Sequence, residues 1–241
     1  MVAIPTSIVY PDSDGLPMSD NTRQFEYIVY VKKGVDWLFS DDPQIFVGGD
    51  LLWYPVEGNP KLRQAPDVMV VFGRPKSDRG SYQQWKEDNI PPQVVFEIIS
   101  PGNTIPEMTR KFQFYERYGV EEYYIYDPDR LSLGGFLRQN DRLEAIEVIE
   151  GWVSPRLNVR FTLNQDGGLE LYRPDGRLFE RYEEIAARAE REHQRAEQEH
   201  QRAERAEQRV SQAEAEVDRL KAQLKAMGHS PDDLIGTEGR E

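Results

Sequence analysis

The sequence predicts an α/β protein with one central sheet, followed by a long C-terminal helix. Two runs, VMVVF at 68–72 and QVVFEIIS at 93–100, are apolar on both faces, which is typical of central strands. Residues 21–39 and 104–118 show helical spacing of apolar side chains. From residue 182 to residue 227 there is no Gly or Pro, and the composition is that of a continuous helix.

The elements alternate along the chain, as expected for helices packed against one sheet. Gly34 weakens the first predicted helix, and Gly119 ends the second. A long polar loop is expected between Gly73 and Pro92. The predicted strands are 45–47, 51–54, 68–72, 93–100, 122–126, 135–138, 145–149, 160–163 and 169–172. We therefore expect a globular domain at 1–178, a helical coiled-coil tail at 179–228 and a disordered end at 229–241.

Composition narrows the chemistry of the globular part. There is no cysteine, which excludes disulfides and thiolate metal sites and fits a cytoplasmic protein. The three histidines, His193, His200 and His229, all lie in the last fifty residues, so histidine catalysis and histidine-bound zinc are excluded before them. A metal there would have oxygen ligands, which favours Mg²⁺ or Mn²⁺.

Net charge and hydropathy indicate whether the chain is suited to bind nucleic acid or a membrane. The net charge of −13 argues against a broadly basic nucleic-acid binder, although it leaves room for a local basic cleft. There is no apolar run long enough for a transmembrane helix, and the N-terminus lacks the pattern of a signal peptide. No membrane association is expected.

The tail repeats with a period of seven, which is typical of a coiled coil. The core positions become consistently apolar only from Ala203 onward, because Glu192 and Glu199 occupy the d positions before it. A homodimer through residues 203–227 is therefore expected, with a single solvated helix held by Glu–Arg pairs as the alternative. Position a holds Ala189, Ala196, Ala203, Val210, Val217 and Leu224, and position d holds Glu192, Glu199, Ala206, Ala213, Leu220 and Met227.

Glu97 stands inside an apolar strand, where an unpaired carboxylate costs at least about 2 kcal/mol. A metal, a basic partner or protonation must neutralise it, so the alternatives are a functional acid and a buried salt bridge. Asp67 follows Pro66 at the mouth of the other apolar strand. Two carboxylates on adjacent strands can share a divalent cation.

Lys111 lies in the second predicted helix beside the apolar stripe of Met108, Phe112 and Tyr115. A lysine at this edge either reaches toward the carboxylates or simply covers apolar surface. Glu107 lies four residues earlier on the same side. It also fits a capping box with Thr104, which needs no catalytic role.

Three segments carry a resemblance to a known family: APDVMVVFGRPK, PPQVVFEIISPGNT and EMTRKFQFYERYGVEEYYIYDPD. They resemble the Uma2 family of predicted endonucleases, also known as DUF820, within the PD-(D/E)XK nuclease superfamily. The similarity extends from about Tyr10 to Arg177. It implies a restriction-endonuclease-like core with a central mixed sheet, and a coiled tail like the extensions of many members.

The resemblance also implies a site and an activity. Asp67 and Glu97 match the metal-binding acids, Lys111 matches the catalytic lysine, and Glu107 matches a secondary acidic position. The superfamily's usual lysine position is occupied by Ile99, so the lysine has moved to the following helix. The implied function is a Mg²⁺- or Mn²⁺-dependent endonuclease acting on DNA. The alternative is an inactive nuclease-fold scaffold that recruits partners through its coiled coil.

Two other features leave alternatives open. The loop at 73–92 carries basic and aromatic residues that fit either a nucleic-acid contact or a loop folded over the domain. They are Arg74, Lys76, Arg79, Tyr82, Trp85 and Lys86. Asp50 is either a turn residue or a group supporting the site, and the first is favoured.

Overall fold

The computed structural model describes residues 8–13, 15 and 17–227. These residues form two compact units, one ending at Arg181 and the other beginning at Tyr182. The predicted disordered end at 229–241 lies outside the described residues. We keep the division into 1–178, 179–228 and 229–241 as a proposal.

A six-stranded mixed sheet forms the centre of the first unit. Its strands lie side by side in the order β1 (Ile45–Gly49), β3 (Val68–Phe72), β5 (Val94–Ile98), β6 (Glu122–Asp127), β7 (Ser132–Gln139) and β8 (Arg142–Ala145). Neighbouring strands are antiparallel, except for the parallel pair β5 and β6. The predicted α/β class with a central mixed sheet is therefore confirmed.

The sheet is buried on both faces because its central strands alternate between two cores. Val94, Phe96 and Ile98 of β5 enter a core with residues of the first helix. Val95 enters a second core that includes Tyr115. In a strand, residues of the same parity share a face, so Glu97 lies on the side of Val95.

Helix α1 (Thr22–Leu38) begins at Asn21, whose side chain accepts a hydrogen bond from Gln24 N. It continues through Gly34, which the sequence marked as a weak point. A Cβ at Gly34 would lie only 2.1 Å from the ring of Phe179, so the glycine lets that ring pack against the helix. Helix α2 (Ile105–Arg117) begins with the predicted capping box of Thr104 and Glu107.

The smaller elements lie in the loops and after the sheet. The segment expected to be an irregular loop contains β4 (Tyr82–Gln83), which pairs with β2 (Trp53–Tyr54), and a 3₁₀ helix at Gln84–Lys86. Strands β9 (Arg160–Leu163) and β10 (Leu169–Tyr172) form a separate antiparallel pair, at the predicted positions.

The predicted strand at 145–149 is wrong beyond its first residue, because β8 ends at Ala145. Ile146 and Ile149 gave the apolar signal, but both pack against the sheet from an irregular segment. A Cβ on Gly135 would lie within 3 Å of both side chains, so a glycine at this point of β7 permits their approach.

The second unit contains helix α3 (Tyr182–Ala226), which confirms the predicted long C-terminal helix. None of its residues is buried. Among the residues that the structure describes, no helix is both long and apolar enough to cross a membrane.

Candidate active site

The register of β3 and β5 brings two acids together. Val68 pairs with Phe96 and Met69 with Val95. Continuing this antiparallel register by one residue sets Asp67 opposite Glu97. Side chains at directly opposed positions have Cβ atoms about 4.5–5.5 Å apart. The main-chain N–H of Ile98 donates a hydrogen bond to Asp67 Oδ2 at 2.6 Å, which fixes this carboxylate at the end of β5.

Helix α2 supplies two donors to Glu97. Lys111 Nζ lies 2.8 Å from Glu97 Oε2, and the hydroxyl of Tyr115 donates a hydrogen bond to Oε1. Lys111 and Tyr115 are four residues apart, so both project from the same side of the helix. Glu97 is 2% exposed and Lys111 is 9% exposed. The lysine therefore reaches toward the carboxylates rather than covering apolar surface at the rim.

Burial and mutual repulsion govern the charge of this group. Burial raises the pKa of the Asp67 carboxyl well above its usual range, and the negative charge of Glu97 raises it further. Burial by itself would lower the pKa of Lys111, but the attraction of Glu97 and Asp67 outweighs it, so the pKa is raised. The lysine therefore remains charged at neutral pH, facing two acids.

These residues fit a divalent cation in charge and in ligand type. Asp67 is 7% exposed, and among the described residues no hydrogen bond reaches its second oxygen, Oδ1. One carboxylate oxygen is therefore open to a ligand. When both acids are ionised, two carboxylates against one ammonium leave a net negative charge, which a hard cation would offset. No group of three or more Asp, Glu, His or Cys side chains suited to a metal is found among the described residues.

Two further acids surround the site. Glu107 uses both oxygens in the helix cap, accepting hydrogen bonds from Asn103 Nδ2 and Thr104 N. Its negative charge also contributes to the raised pKa of Lys111, after the larger effects of Glu97 and Asp67. Asp50 follows β1 with a left-handed backbone (φ 46°), and its N–H donates to the carbonyl oxygen of Asp67. Its charge also raises the pKa of Asp67, so Asp50 is both a turn residue and a charged neighbour of the site.

Two of the four basic side chains in the loop at 73–92, Arg74 and Arg79, are paired within the domain, whereas Lys76 and Lys86 are exposed. Both Arg74 and Arg79 form ion pairs with Glu87, at 2.9 and 2.7 Å. The Arg79 guanidinium also stacks over the ring of Phe46, and Tyr82 is fully buried. The arrangement favours the second alternative, a loop folded over the domain.

The sequence did not predict that Tyr115 contributes to the site by donating a hydrogen bond to Glu97. Its spacing with Met108 and Phe112 indicated a core residue, and it is fully buried in the second core. Burial raises the pKa of its hydroxyl, and the charge of Glu97 adds to this effect, so the hydroxyl stays protonated as a donor. A tyrosine one turn after Lys111 was the available signal, since a buried tyrosine hydroxyl usually finds a polar partner.

The site thus brings together two acids of adjacent strands, Asp67 and Glu97, and a lysine of the following helix, Lys111. The sequence model of the family described as "Uma2: Putative restriction endonuclease" matches residues 28–165. The chain belongs to this family.

The fold is also similar to a solved structure, that of a "putative nuclease belonging to DUF820" from Anabaena variabilis ATCC 29413. The sequences are 13% identical, and the similarity covers 56% of this chain and 72% of the other, with a TM-score of 0.42. No curated protein is significantly similar to the chain in sequence.

Proposed function

We propose that this protein is a Mg²⁺- or Mn²⁺-dependent endonuclease that hydrolyses phosphodiester bonds in DNA. The observation that carries the proposal is the pairing of Asp67 with Glu97 across β3 and β5, with Lys111 of α2 against them. Membership of a family described as "Putative restriction endonuclease" supports the same chemistry.

Asp67 and Glu97 would hold the metal ion. When bound, such an ion lowers the pKa of a water molecule and offsets negative charge on the phosphate. The open oxygen of Asp67 is the first available ligand. Glu97 Oε1 and Oε2 each accept one hydrogen bond and keep a further lone pair.

Lys111 would act through its charge. Because its pKa is raised, the amine is protonated and cannot accept a proton from water at neutral pH. No hydrogen bond other than that to Glu97 is found for its ammonium within the described part of the chain, so two of its three donors are available. We assign these donors to phosphate oxygens, where they would stabilise charge that develops during hydrolysis.

Cleavage of supercoiled plasmid DNA, compared with single-stranded RNA, tests this proposal. Asp67→Asn and Glu97→Gln should each lower the metal-dependent rate by about 10²-fold or more. Glu122→Gln is the matched control, because Glu122 is also a buried carboxylate of the sheet but pairs with Val94, away from Glu97. Cleavage that persists in Asp67→Asn or in EDTA would refute the site.

A specific observation favours a second candidate, a nuclease-fold scaffold without catalysis. Each oxygen of Glu97 already accepts a hydrogen bond, one from Lys111 and one from Tyr115, so the buried carboxylate is compensated without a metal. A scaffold should bind no Mn²⁺ at Glu97. It should also keep its partner interactions when Asp67 is replaced by Asn.

We further propose that the protein forms a homodimer through residues 203–227 of α3. Its apolar core positions in this segment are exposed in the single chain, with Val210 57% and Val217 48% exposed. A second apolar helix face would cover them. A monomer in sedimentation at micromolar concentration would contradict this proposal.

A further inference from the structure

We infer that α3 pairs with α3 of a second copy of this chain as a parallel, in-register, two-stranded coiled coil over residues 203–227. The inference rests on the self-association proposed above and specifies its direction and register. It does not depend on catalysis, so the test of helix pairing and the test of DNA cleavage can succeed or fail separately.

The surface to be covered is a continuous apolar stripe. In the single chain Val210, Val217, Leu220 and Met227 are 57%, 48%, 49% and 73% exposed. They recur at the a and d positions of the heptad, which form the contact line of a coiled coil. Nothing in the described part of the helix buries them.

The flanking charges select a second copy of the same helix in parallel orientation. In a parallel pair, each g residue faces the e residue five positions later on the other helix. The three pairs that flank the contact line are Arg202 with Glu207, Arg209 with Glu214, and Glu216 with Lys221. All three have opposite charges, and two-fold symmetry repeats each of them.

Antiparallel pairing of the same segment is less favourable. It brings e residues against e residues and g residues against g residues. Centring it on residue 215 lets Glu207 meet Lys221, but it sets Glu214 beside Glu214 and Glu216 beside Glu216 of the other copy. A like-charge contact of this kind destabilises the pair.

The apolar residues at the contact line favour a coiled coil of two helices. Position a carries the β-branched Val210 and Val217, and position d carries Leu220. β-Branched residues at a with leucine at d favour two-stranded parallel coils.

The direction of helix pairing determines how far apart the N-terminal ends of the two α3 helices lie. A parallel coil sets the two Tyr182 ends side by side, so both globular units are tethered to the same end. In the centred antiparallel coil these ends would be about 100 Å apart, at 1.5 Å per residue.

Spin-label distances in the full chain test the direction. The chain contains no cysteine, so single replacements give one label per copy. Gln201→Cys, Gln208→Cys and Ala222→Cys lie at the outer f position and leave the contact line intact. A parallel coil gives three similar distances. An antiparallel coil of any register cannot, because its axial separation changes by about 3 Å for each residue from its centre.

The outcomes are distinct. Three similar distances with a dimeric mass support the inference. Unequal distances in a dimer overturn the direction but keep the self-association, and a trimeric mass overturns the two-stranded state. A monomer with no dipolar coupling overturns both the inference and the self-association, and cleavage assays remain a separate test.

Charge reversal tests the predicted pairs. Arg209→Glu and Glu214→Arg should each weaken dimerisation about tenfold, and the double variant should restore it. The two residues are five apart, so they do not face each other within one helix. Arg219→Glu, at an outward c position, is the control and should have little effect. A double variant no better than either single variant would overturn the register.

Discussion

Replacing Lys111 by Met removes the cation from the buried pair but retains most of the apolar stem. The side chains of Lys111 and Glu97 are only 11% and 3% exposed, so Glu97 is left charged and buried. Removing one partner of a buried pair costs about 3–5 kcal/mol. Because Tyr115 still donates to Glu97, we expect the lower value, about 3 kcal/mol, which lowers the melting temperature by about 6–12 °C.

Thermal unfolding followed by near-ultraviolet circular dichroism in EDTA measures the melting temperature of the globular unit, since all four tryptophans precede α3. The double variant Lys111→Met/Glu97→Gln should recover most of the loss. Lys32→Met is the control, because the Lys32–Asp36 pair is 27% and 34% exposed and should contribute less than about 1 kcal/mol. An unchanged melting temperature in Lys111→Met would refute the reasoning.

Three further outcomes follow from the site and the tail. Asp67→Asn should stabilise the metal-free protein. Because the pKa of Asp67 is raised by folding, the folded state favours the protonated acid. Ionisation therefore destabilises the fold increasingly as the pH rises above the pKa of an unfolded aspartate, about 3.9. Unfolding between pH 4 and 8 checks this, and a gain that falls with pH would contradict it. Tyr115→Phe removes a hydrogen bond to Glu97 and should cost about 1.5–3 kcal/mol by urea unfolding, and a cost near zero would contradict the bond's contribution. A chain ending at Tyr182 should keep its near-ultraviolet signal and sediment as a monomer, whereas a dimer would place the contact elsewhere.

The sequence was sufficient for the main elements because their patterns are local. The two apolar runs identify the central strands β3 and β5, and Thr104 with Glu107 identifies the start of α2. Burial of Glu97 also followed from its apolar neighbours, and with it the need for a neutralising group.

The register and the tertiary partners were not available from the sequence. Asp67 and Glu97 are separated by a long connection, so local periodicity does not determine which residues of β3 and β5 are opposed. The same limit applies to the loop, where folding rather than regular spacing pairs Glu87 with Arg74 and Arg79. The apolar spacing after Ala145 likewise reflects packing against the sheet and not strand alternation.

Direct titration with Mn²⁺ tests the central claim, that Asp67 and Glu97 together hold a divalent cation. Electron paramagnetic resonance measures free Mn²⁺ as protein is added, with no requirement for turnover. We expect one ion per chain in the unaltered protein and in the control Glu122→Gln. We expect loss of that ion in Asp67→Asn and in Glu97→Gln. Equal binding in Asp67→Asn and the unaltered protein, or no binding in the unaltered protein, would contradict it.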